Sequence, residues 1–68
     1  MPFVNLKITK TNLNRETKAQ IVKEFSETLV RVLGKKPETI HIVFDVVEDE
    51  NWGHAGKLVA ETRQIARD

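Results

Sequence analysis

Between Phe3 and Thr9 the chain alternates, with apolar Val4, Leu6 and Ile8 separated by polar Asn5, Lys7 and Thr9. A period of two predicts a strand with one buried face. Polar Lys10-Thr11-Asn12 then leads to Asn14, suited to N-capping because its side-chain oxygen accepts an orphan amide N–H. From there to about Leu33 the period changes. Ile21, Val22, Phe25, Leu29, Val32 and Leu33 recur at three- and four-residue spacings, so they share one face of a helix. Lys18, Lys23, Glu24, Glu27 and Arg31 sit mostly off that stripe and form a solvated surface. Gly34 suits the left-handed position after a helix, and Pro37 keeps the helix from resuming.

A second alternating segment runs from Thr39 to Val47, with Ile40, Ile42, Phe44 and Val46 on one face and His41, Val43, Asp45 and Val47 on the other. Strand, helix and strand make a βαβ unit, so the strands are expected to be parallel and the crossover right-handed. Glu48 to Gly56 breaks the pattern as a loop or tight hairpin. The tail from Lys57 to Arg67 carries Leu58, Val59, Thr62, Ile65 and Ala66 at near-helical spacing, which predicts a short helix. The fold class is therefore α+β, one domain over residues 1–68. Its weakness is physical. A two-stranded sheet covered by one helix leaves a face and both edges open, and open edges invite pairing with another chain. Val43 and Val47 give that open face apolar character, so self-association is expected.

Length sharpens this expectation. A chain of 68 residues buries only about 60% of its unfolded surface. With no Cys, neither disulfides nor thiolate metal sites can staple it, which leaves oligomerisation. Eleven Lys and Arg against ten Asp and Glu give a net charge of +1, little reason to expect a nucleic-acid or membrane partner. No apolar run is long enough for a transmembrane span or a signal segment. The expected setting is the cytoplasm.

The candidate chemistry begins at Pro2. Removal of Met1 would turn its ring nitrogen from a tertiary amide into a secondary amine, able to take up a proton or attack a carbonyl. His41 lies on the second strand and His54 in a Gly-flanked loop. Two histidines without a convincing carboxylate partner make a poor metal site, and no metal or cofactor is expected. Gly53 and Gly56 fall short of a phosphate-binding loop, which opens a helix after a strand. Glu48-Asp49-Glu50 reads as a solvated loop. Trp52 fits either an interface anchor or a pocket wall, roles that coincide if a site lies between subunits.

Pro2 straight after Met1, the βαβ pattern, Glu24-Phe25-Ser26-Glu27, Leu33-Gly34-Lys35-Lys36-Pro37 and the Asn51-Trp52-Gly53 loop ending at Gly56 together resemble the 4-oxalocrotonate tautomerase family over nearly the whole chain. The resemblance implies small subunits assembled as a homo-oligomer, a hexamer or similar. It also implies cofactor-free keto–enol chemistry at the N-terminal proline, on a small enolisable carboxylic acid. Such chemistry needs one group that accepts and donates a proton near neutral pH. A secondary amine in water is too basic, but burial and nearby cations disfavour its charged form. The same cations would hold the substrate carboxylate and stabilise enolate charge. Pro2 is then the catalytic base, and Trp52 a wall that excludes water. Where the family carries a substrate-binding arginine on the second strand, this chain has His41. The other arginine position falls at Asn12-Leu13-Asn14, one step before Arg15. His41, Arg15 and Trp52 are the expected substrate-binding residues, with Lys35 or Lys36 of a neighbouring subunit as further cations. The alternative is a non-catalytic oligomerising domain of the same fold.

Overall fold

A computed structural model describes residues 1–66. Strand β1 spans Phe3–Thr9, helix α1 Arg15–Leu33 and strand β2 His41–Val47. The strands pair in parallel from Phe3 against His41 to Thr9 against Val47, as the βαβ pattern predicts. Val4, Leu6 and Ile8 therefore share a face with Ile42, Phe44 and Val46. Helix α1 covers that face, meeting it at a groove lined by Val4, Phe25, Thr28 and Leu29. Both helix ends follow the local chemistry. The Asn14 side-chain oxygen accepts the Thr17 N–H at 2.8 Å. Gly34 closes the helix at φ 68°, its N–H donating to the Val30 carbonyl at 3.0 Å.

Two expected boundaries are corrected. Strand β2 starts at His41, not Thr39, because Pro37–Thr39 form a 3₁₀ turn. Pro37 is preset for a first helical position. The Thr39 and Ile40 amides are spent on the Lys36 and Pro37 carbonyls, at 2.9 and 3.1 Å, so they cannot join the ladder. The tail helix does not start at Lys57. After a 3₁₀ turn at Asp49–Asn51, β3 (Gly53–His54) pairs antiparallel with β4 (Lys57–Leu58), and helix α2 occupies Val59–Ala66. Its expected end at Arg67 lies outside the described residues. The hairpin turns on Ala55 at φ 54° and Gly56 at φ 79°, the two positive values of a type I′ turn. Alanine is strained there. Ala55→Asn is expected to stabilise the protein by about 1 kcal/mol, read as a higher thermal midpoint. An unchanged midpoint would mean that the turn carries no strain.

No core forms within one chain. Among the described residues none is buried. The radius of gyration, 15.3 Å, compares with about 11 Å for a compact chain of this length. The accessible surface is 5536 Å², against about 4,400 Å² for a compact monomer of this mass. The excess is apolar in places that matter. Phe3 is 63% and Val43 42% exposed on the outer sheet face, and Val32 and Leu33 are 63% and 59% exposed at the end of α1. Between Phe3 and Thr9 the outer face also carries Lys7 and Asp45, paired at 2.6 Å. Both are solvent-exposed, so the pair sets register more than stability. Among the described residues no helix is long and apolar enough to cross a membrane.

Candidate active site

The first hydrogen bond of the β1–β2 junction holds Pro2. Its carbonyl accepts the His41 N–H at 3.0 Å, which fixes Pro2 at the head of the sheet while leaving its ring nitrogen outside the ladder. Pro2 is half-buried. Met1 before it is 86% exposed, so few contacts depend on it. His41 stands opposite Phe3, which sets its exposed side chain on the outer sheet face. The link from α1 to β2 brings exposed Lys35 and Lys36 to this same end of the sheet.

Trp52 and Arg15 are at the other end. The parallel register sets Thr9 beside Val47, and Lys10 meets Glu48 at 3.3 Å just beyond. Arg15 opens α1 after β1, and Trp52 follows the turn after β2. Seven strand residues separate these groups from Pro2, a span of about 20 Å. One chain thus unites Pro2 with His41 and separates both from Trp52 and Arg15. The parallel βαβ pattern already implies this separation, because Pro2 precedes the first strand and Trp52 follows the second. Three clefts among the described residues are lined by other residues. Among the described residues no group of three or more His, Asp or Glu side chains is placed to hold a metal ion.

One arrangement escaped sequence reasoning. The β3–β4 register sets His54 directly across from Lys57, and both line a cleft of about 350 Å³ with Leu58 and Glu61. The signal is weak because Ala55-Gly56 lacks the Asn or Asp that usually announces a type I′ turn. This hairpin is tied to Trp52, whose carbonyl accepts the Val59 N–H at 2.8 Å.

A βαβ unit led by a proline, with an aromatic turn and a short hairpin at the far end of the sheet, agrees with the comparisons. The Tautomerase enzyme family profile matches residues 2–62, and the chain belongs to that family. A probable tautomerase K2 from Dickeya dadantii is 46% identical over 66 residues, covering 97% of this chain and 98% of the relative. A probable tautomerase from Helicobacter pylori is 35% identical, over 94% of this chain and 97% of its own length. Among solved structures, Helicobacter pylori DmpI superposes with a TM-score of 0.81 at 32% identity, covering 88% of this chain and 98% of that one. A 4-oxalocrotonate tautomerase isozyme from Methylibium petroleiphilum shares the fold, with a TM-score of 0.87 at 23% identity over 96% of this chain and 100% of that one. The family is one of enzymes, so the chain is an isomerase of the tautomerase class.

Proposed function

We propose that the chain is a cofactor-independent tautomerase for small unsaturated 2-hydroxy and 2-oxo acids, using Pro2 as its general acid and base after removal of Met1. In the ketonising direction the neutral ring nitrogen takes the enol O–H proton. The oxygen lone pair forms the carbonyl as the carbon–carbon π pair moves to C3, which takes a proton from the protonated proline. One proton leaves oxygen, one arrives at carbon, and no electrons are exchanged with a second reagent.

The observation that carries this reading is the position of Pro2. It heads β1, its carbonyl is held by the His41 N–H at 3.0 Å, and its nitrogen is committed to no ladder bond. The family match beginning at Pro2 supports the same reading. Lys35 and Lys36, at the same end of the sheet, would add the cationic surroundings that favour a neutral amine. Trp52 and Arg15, about 20 Å away along the sheet, serve this site only from a second copy. The proposed enzyme is therefore a homo-oligomer, a hexamer by family resemblance, with sites between subunits.

The direct test is ketonisation of phenylenolpyruvate by protein whose N-terminus has been checked by intact mass. Protein starting at Pro2 is expected to accelerate the reaction, and protein retaining Met1 is not. Equal rates from the two forms would exclude Pro2 amine catalysis.

A further inference from the structure

Building on the tautomerase reading above, we infer that the His54–Lys57 pair of the C-terminal hairpin is the carboxylate-binding element of the site, presented to Pro2 of another copy. The two residues are directly opposed across a two-residue turn, so their side chains leave the same face with Cβ atoms about 5 Å apart. That spacing lets both donate to one carboxylate, Lys57 through its ammonium and His54 through a ring N–H. Among the described residues neither has an ion-pair partner. Glu61 lines the same cleft but lies beyond ion-pair distance of Lys57. Two donors side by side over an open cleft suit a small acid better than an internal contact.

The link to Pro2 is geometric. The Val59 N–H bond to the Trp52 carbonyl, 2.8 Å, folds the hairpin back onto Trp52, and α2 packs on the Asp49–Asn51 turn. Trp52 and the His54–Lys57 cleft therefore travel together. Any assembly that lays Trp52 of one copy against Pro2 of another brings this donor pair to the same substrate. The pair supplies the charge that the family's arginine positions lack in this chain, at His41 and at Asn12-Leu13-Asn14.

The experiment compares phenylenolpyruvate with its methyl ester, which keeps the enol and loses the charge, using protein processed to Pro2. Lys57→Met is expected to raise KM for the acid about tenfold, the loss of one charge-assisted contact, with kcat nearly unchanged. KM for the ester should not move, and Lys57→Arg should restore binding of the acid. A pair that only solubilises the hairpin gives no difference between acid and ester. An unchanged KM for the acid, or equal rises for acid and ester, overturns the inference. Calorimetry with unreactive 3-phenylpropanoate measures binding without turnover: affinity should weaken in Lys57→Met, and equal affinity counts against the pair. If the Pro2 reading alone fails, Pro2→Ala turns over normally while carboxylate binding still depends on Lys57. Light scattering checks the assembly of each variant. Should Lys57→Met dissociate, His54→Leu, which removes the ring N–H donor, must produce the same acid-selective loss.

Discussion

Pro2→Ala is expected to lower kcat/KM for phenylenolpyruvate by about 10²–10⁴, the range associated with one positioned general acid or base. Assembly should survive. The only ladder contribution of Pro2 is its carbonyl, which accepts the His41 N–H, and alanine keeps that carbonyl. The substitution changes the amine and its constraint: the secondary nitrogen held by a ring becomes a primary amine free to turn away. Retention of Met1 makes a sharper comparison with identical side chains. The nitrogen is then an amide whose lone pair is delocalised into the carbonyl, and it cannot cycle a proton near neutral pH. A loss of the same order should follow, reversed when Met1 is removed from the same preparation by an aminopeptidase. Undiminished turnover by fully Met1-bearing protein, checked by intact mass, would move the chemistry to another residue. Undiminished turnover by Pro2→Ala, with Met1-bearing protein inactive, would mean that a primary N-terminal amine suffices and that the ring is not required.

The residues differ in how much of this is legible in the sequence. Val4, Leu6 and Ile8, then Ile42 and Phe44, announce their strands because burial on one face forces alternation over several residues. Asn14 and Gly34 announce helix ends because capping chemistry is local. The start of β2 is hidden because Thr39 and Ile40 fit the alternation, whereas their amides belong to the Pro37 turn. Two residues cannot express a period, so β3 and β4 leave no pattern, and Ala55 conceals their turn. At the site, the place of Pro2 at a strand head is readable. The His54–Lys57 opposition is not, because it depends on a register set by that concealed turn. In the proposed assembly the approach of Trp52 to Pro2 lies between chains, and hydrophobic periodicity reports only that a face is covered.

That covering supports the second large effect. Val43→Asp is expected to abolish assembly and, with it, the folded state at micromolar concentration. Val43 is 42% exposed in the single chain, on the outer sheet face beside Asn5. No residue described in the chain is buried, and a radius of gyration of 15.3 Å leaves the apolar surface too spread out to form a core alone. In the proposed oligomer, stability comes from contacts between copies, and its midpoint should rise with protein concentration. An aspartate at Val43 adds a second carboxylate on the face that already holds Asp45. Closing a partner over it strands an unpaired charge, at several kcal/mol for each copy. Since every subunit carries the substitution, the penalty recurs at each equivalent contact. Light scattering should report dissociation, far-UV circular dichroism should report loss of helix and strand, and activity should vanish with both. If Val43→Asp remained a folded monomer, the outer sheet face would join the subunits without the fold depending on it; if it kept its full assembly and turnover, that face would not be the surface that joins the subunits. The burial this chain lacks would then have to be found along α1, where Val32 and Leu33 are still more exposed.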